Sequence, residues 1–162
     1  DVHDAFKYAT ANGSLEGWGG GSKITNGELL ELDVMLLAPC AMENQITPAN
    51  AGNIKAKLMV EGANGPVSAD ADSILDAKGI MIVPDILANA GGVTVSYLEW
   101  VQNRAGHYWT EEEVNKAADP MLERAFAKVW AASKEYKCSM RQAAYVVGIK
   151  RVAEAVQLKG HY

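Results

Sequence analysis

Three short apolar runs occupy the middle of the chain: VMLLAP (34–39), AKLMVEGA (56–63) and IMIVP (80–84). Each is bounded by polar or turn-forming residues and is shorter than a typical buried helix. That is the pattern of strands buried on both faces of a sheet. Each gap between runs holds one helix signal. Thr47-Pro48 is an N-cap followed by proline at the first helical position, for a helix over 48–53. Ser68, with Asp70 and Asp72 behind it, starts a helix to Lys78 that Gly79 stops. Strand, helix, strand, helix, strand with such short connections implies parallel βαβ units, with right-handed crossovers the default. The strands are expected near 34–38, 56–61 and 80–83.

The flanks are helical. Residues 2–11 form a short helix ending at Asn12-Gly13, and the capping box Thr25-x-x-Glu28 opens another, ELLEL. Between them lies GSLEGWGGGSKITNGE (13–28), where Ser22-Lys23 among glycines has a faint likeness to a phosphate-binding loop. A P-loop needs Gly-Lys-Ser/Thr after a strand; the order here is Ser-Lys and no apolar run precedes it, so a flexible surface loop is the better reading. No strand pattern follows residue 84. A second box, Thr110-x-x-Glu113, opens a long helix towards Tyr136, with a kink or break expected at Asp119-Pro120. A third, Ser139-x-x-Gln142, opens a closing helix to Leu158. The fold class is therefore α/β: a partial Rossmann-like, doubly wound parallel sheet of about three strands, followed by a helical C-terminal tail. The division falls between residues 1–104 and 105–162.

PDILANAGGVTVSYLEW (84–100) is ambiguous. VTVSY has strand composition, but Val93, Tyr97, Trp100 and Val101 recur at helical spacing, so 88–104 is expected to be helical. Asn89, Gly91 and Gly92 then fall in its first turn. Two readings stand side by side. Either a ligand approaches the free N–H groups of that turn, or the glycines serve close helix–strand packing and Asn89 is a plain N-cap. Ligands of open parallel sheets bind beyond the carboxyl ends of the strands. Here those ends are Pro39 to Met42, Gly62 to Pro66 and Pro84 to Gly92.

Charge and composition exclude some functions. A formal net charge of −5 over 162 residues argues against nucleic acid as partner. No run approaches the roughly 20 apolar residues of a membrane span. The beginning, DVHDAFKYA, has no signal-peptide character, which suggests a cytoplasmic protein. Cys40 and Cys138 are far apart and are expected as free thiols; His3, His107 and His161 are scattered, so no metal site is expected.

EGANGPVSADADSIL, IVPDILANAGGVTVSYLEWVQN, ITNGELLELDV, CAMENQIT and MRQAAYVVGIKRVAEA closely resemble the cofactor domain of the glutamate dehydrogenase family, within the glutamate/leucine/phenylalanine/valine dehydrogenases. The similarity runs from about residue 12 to the end. It implies NAD- or NADP-dependent conversion of L-glutamate to 2-oxoglutarate and ammonia by a homo-oligomer, a hexamer in the family. By motif, Asn64 and Gly65 of the ANGP turn would meet the nicotinamide-side ribose and Asn89 of NAGG the carboxamide. Cys40 and Ala41 would line the cofactor groove, where the family usually has two small residues. Val93 and Ser96 would line the pocket for the substrate side-chain carboxylate. No segment matches the family's catalytic lysine and aspartate or its Gly-x-Gly-x-x-Gly fingerprint, so no catalytic residue is assigned and the chain alone is expected to be inactive. The alternative is a non-catalytic short protein acting as a subunit partner or weak nucleotide binder.

Overall fold

The structure, a computed structural model, describes residues 1–160; His161 lies outside them. The chain divides into two compact units, Asp1–Leu30 and Glu31–Tyr162.

In the first unit, Asp1 caps α1 (Val2–Asn12) by accepting the His3 N–H at 2.7 Å, and Gly13 ends the helix in the left-handed region. The Thr25/Glu28 box opens α2 (Asn26–Leu30), the Thr25 N–H donating to Glu28 at 2.7 Å. Residues 13–25 form only turns and bends and are exposed except for the half-buried Trp18, as a surface loop should be.

The second unit contains one parallel sheet of β1 (Leu36–Leu37), β2 (Leu58–Val60) and β3 (Met81–Val83), in the order β1-β2-β3. Leu37 pairs with Met59, and Met59 with Ile82. All three strands lie inside the expected runs but are shorter. Burial on both faces is confined to Met59 of the central strand. Leu36 is 50% and Met81 45% exposed, each on an edge strand with no neighbour on one flank. The crossovers are α3 (Pro48–Ala51) and α4 (Ala69–Ala77), which pack together, with Ile46, Ala51, Ile54, Ala71 and Leu75 buried. Gly79 (φ 72°) turns the chain out of α4 into β3.

After β3 the chain forms α5 (Asp85–Ala88) and α6 (Ala90–Ala105), separated at Asn89, where a single helix was expected to begin at residue 88. The helical reading of VTVSY is correct, but the apolar stripe chosen for it is not the buried one. Val93, Tyr97 and Trp100 are mostly exposed, and the buried residues are Leu98 and Gln102. Gln102 is satisfied within the fold, its Oε1 accepting the Trp109 N–H at 2.7 Å.

α7 (Glu111–Tyr136) passes through Pro120 unbroken, so the expected break is absent. A proline inside a helix lacks an N–H to donate, yet the flanking turns of this 26-residue helix remain helical. α8 (Met140–Lys159) packs on α7 and β3. Leu87, Val129, Ala132, Met140, Ala143 and Ala144 form the core between sheet and tail. Among the described residues no helix is long and apolar enough to cross a membrane.

The α7 cap carries a pH prediction. Thr110 donates its backbone N–H to Glu113 Oε2 at 2.8 Å and its hydroxyl at 2.9 Å. These bonds hold the Glu113 carboxyl below the usual carboxylate range. A folded value below the unfolded one means the cap stabilises above the ordinary glutamate range and is lost as pH falls through the lowered value. Amide-exchange protection in the first turn of α7 is therefore expected to fall on acidification. In Glu113→Gln, where the capping group does not titrate, that protection should depend less on pH. Equal pH dependence in both proteins would refute the cap assignment.

Candidate functional site

The carboxyl ends of the three strands meet around one open cavity of about 680 Å³, lined by Ala41, Glu43, Gly62, Ala63, Asn64, Asn89 and Val93. The loops that form it are tied together by backbone bonds. Pro39 C=O accepts the N–H groups of Gly62 (3.1 Å) and Ala63 (3.0 Å), and Asn44 N–H donates to Gly65 C=O at 2.8 Å. A parallel bridge, Ile46 to Val67, extends this contact beyond the sheet. Asn44 takes φ 53°, a left-handed conformation that asparagine tolerates better than most residues.

Asn89 is not a plain N-cap. Its side chain makes no capping bond to α6; its Nδ2 donates to Asn64 Oδ1 at 2.7 Å and to the carbonyls of Gly62 (3.3 Å) and Ala63 (3.5 Å). Those carbonyls fix the amide's orientation, since the reverse would set Oδ1 against two acceptors. Asn64 Nδ2 and Asn89 Oδ1 have no protein partner among the described residues. The pair thus offers the cavity one donor and one acceptor, the complement of a carboxamide or of adjacent hydroxyls.

The glycine that matters for close approach is not in the first turn of α6. A Cβ on Gly91 would meet Leu122 of α7 at an ordinary 3.7 Å, and one on Gly92 would meet nothing within 4 Å. Neither residue lines the cavity. The tight position is Gly62, where a Cβ would lie 2.5 Å from Cys40 Sγ.

Four of the seven residues expected at a site therefore line one cavity: Ala41, Asn64, Asn89 and Val93. The other three do not. Cys40 is directed at Gly62. Gly65, at φ 57°, forms the turn behind Asn64 and donates its N–H to Asp85 Oδ2 at 2.8 Å. Ser96 is exposed one turn along α6, its hydroxyl donating to Gly92 C=O at 3.1 Å.

Behind the cavity lies an ionic cluster that sequence reasoning missed. Glu61, fully buried at the end of β2, accepts Arg141 Nη2 at 2.6 Å and the Asp85 N–H at 2.8 Å. Arg141 also donates to Asp72 at 2.7 Å and lies 3.4 Å from Asp85. Burial disfavours the guanidinium charge, but the hydrogen bonds and charges of Glu61 and Asp72 outweigh it and raise its pKa above the ordinary value. The one sequence signal was a glutamate inside the apolar run LMVEG. Its partner is 80 residues away and could not be read from spacing.

Comparison with known proteins gives a consistent result. The family model described as glutamate/leucine/phenylalanine/valine dehydrogenase matches residues 1–160. The glutamate dehydrogenase of Thermotoga maritima is 48% identical over 162 residues, which is all of this chain and 39% of the relative. The NAD-specific glutamate dehydrogenase of Staphylococcus aureus strain COL is 55% identical over 137 residues, 85% of this chain and 33% of that protein. Among solved structures, the hetero-hexameric glutamate dehydrogenase of Thermus thermophilus in its Leu-bound form superposes with a TM-score of 0.89 at 30% identity, covering 100% of this chain and 38% of that one. The glutamate dehydrogenase of Peptoniphilus asaccharolyticus superposes with a TM-score of 0.81 at 38% identity, covering 100% and 36%. The chain thus spans between a third and two fifths of the length of these relatives.

Proposed function

Because this chain belongs to the glutamate/leucine/phenylalanine/valine dehydrogenase family, we propose that it is the cofactor-side portion of a longer glutamate dehydrogenase. That enzyme would oxidise L-glutamate to 2-oxoglutarate and ammonia. The observation that carries this reading is the Asn64–Asn89 pair, whose free donor and acceptor border the cavity at the strand ends. When bound, the nicotinamide supplies the hydride acceptor. This chain's own part is to hold it: Asn89 Oδ1 at the carboxamide N–H, Asn64 at the ribose hydroxyls, and Ala41 and Ala63 leaving room for the ring. NAD is favoured over NADP by the 55% identity to a relative named NAD-specific. A hexamer is favoured by the Thermus relative, which is itself a hetero-hexamer.

Val93 and Ser96 stand on the same side of α6, three residues apart. We assign them to the substrate side-chain carboxylate, with the Ser96 hydroxyl turning from Gly92 C=O to donate to it. The tail, 105–162, would pack towards the substrate domain through the exposed residues of α8, Ile149, Val152 and Val156.

Steady-state kinetics on the longer protein test these roles. Asn89→Ala is expected to raise KM for the dinucleotide about tenfold, the equivalent of ~1.4 kcal/mol, with little change for glutamate. Ser96→Ala is expected to do the reverse, at ~1.5–3 kcal/mol for a bond to a charged group. Equal effects of each variant on both ligands would show that the face of α6 is misassigned.

A further inference from the structure

We infer that Arg141 is the positioning residue of the dinucleotide cavity: from the start of α8 it clamps Glu61 and Asp85, and through them the two segments that hold Asn64 and Asn89. The inference rests on the reading of the cavity given above.

Two routes lead from the guanidinium to the asparagines. Arg141 Nη2 bonds Glu61 at 2.6 Å, and Glu61 is followed directly by Gly62 and Ala63, whose carbonyls hold the Asn89 amide. Arg141 Nη1 reaches Asp85 Oδ1, while Asp85 Oδ2 accepts the N–H of Gly65, the residue after Asn64. The two routes are cross-linked where the Asp85 N–H donates to Glu61 Oε2 at 2.8 Å. The guanidinium itself does not line this cavity, so it acts on the two asparagines through other residues.

The charge balance makes the clamp sensitive to its one cation. Three carboxylates, Glu61, Asp72 and Asp85, face a single guanidinium, and no other cation pairs with them among the described residues. Glu61 is 0% exposed with the guanidinium in place, so its charge is met by Arg141 and the Asp85 N–H and not by water. A planar fork with donors on three nitrogens spans three acceptors. A lysine ammonium, a point charge on a flexible stem, keeps the charge and loses the span. The carboxylates would then repel one another, and the strain falls on Gly62, Ala63 and Asn64, which follow Glu61 and border the cavity.

The test is dinucleotide binding to the longer protein, followed by NADH fluorescence titration. Arg141→Lys is expected to weaken NADH by about tenfold or more, as small displacements of positioning groups do, and to change KM for glutamate by less than about threefold. Val129→Ala, in the core between sheet and tail, controls for general loss of stability. With a comparable drop in melting temperature it should keep Kd within about twofold. If Arg141→Lys does not accumulate as folded protein, Asp85→Asn carries the same test, because its amide can accept from Arg141 or from the Gly65 N–H only by presenting an N–H group to the other. Binding by Arg141→Lys or Asp85→Asn indistinguishable from wild type, or an equal loss in Val129→Ala, would overturn the inference. Wild-type protein that does not bind NADH would overturn the reading of the cavity, and the inference with it.

Discussion

Glu61→Ala is expected to destabilise the protein by about 3–5 kcal/mol, the usual consequence of removing one partner from a buried ion pair. Both carboxylate oxygens are in use, one on Arg141 at 2.6 Å and one on the Asp85 N–H at 2.8 Å, and the side chain is wholly buried. Its removal leaves Arg141 Nη2 and the Asp85 N–H without their acceptor, while Asp72 and Asp85 still face the guanidinium. Glutamine does not restore the site, because its amide can accept from one donor only by presenting an N–H group to the other. Urea denaturation measures the loss, with an unchanged slope required for the midpoints to report stability alone. A loss below about 1 kcal/mol would mean that water reaches the cluster and that it behaves as a surface pair.

The second large effect is expected at Gly62. Its missing Cβ would stand 2.5 Å from Cys40 Sγ and 3.2 Å from Cys40 Cβ. The two backbones cannot part, because Pro39 C=O holds both the Gly62 and Ala63 N–H groups. Gly62→Ala therefore overpacks the join of two loops, at ~1–3 kcal/mol. It also pushes Ala63 and Asn64 within the cavity, which is expected to weaken dinucleotide binding by about 10–100-fold. Cys40→Ala removes the sulfur and is expected to rescue part of both losses in the double variant. The remaining loss reflects the 3.2 Å contact with the Cys40 Cβ, which alanine keeps. Equal loss in the single and double variants would show that the Cys40 thiol is not the obstacle.

What could be read from the sequence was local. The capping boxes at Thr25, Thr110 and Ser139 all start helices where their spacing places them, because both halves of each box lie within one turn. The parallel pairing of the strands followed from three apolar runs and the helices between them. Two kinds of error share a cause in long-range packing. The stripe Val93/Tyr97/Trp100 has the period of a helix, but period does not say which stripe faces the core, and Leu98 and Gln102 do. Gly91 and Gly92 attracted the close-approach argument by being adjacent, whereas Gly62 is tight because a loop 22 residues earlier in the chain brings Cys40 against it. The Glu61–Arg141 pair is the extreme case, since neither residue alone predicts the other. The asparagines were legible as amides at strand ends. Their bond to each other was not, because it depends on the register of β2 and β3.

The nicotinamide end of a dinucleotide is expected in the cavity between Ala41, Asn64 and Asn89. A crystal structure of the longer protein with bound NAD tests it most directly. The predicted result is a nicotinamide ribose within hydrogen-bond distance of Asn64 and a carboxamide on Asn89 Oδ1, with the Asn64–Asn89 pair still held by the Gly62 and Ala63 carbonyls. A dinucleotide bound elsewhere, with neither asparagine in contact with it, would show that this cavity is not the cofactor site.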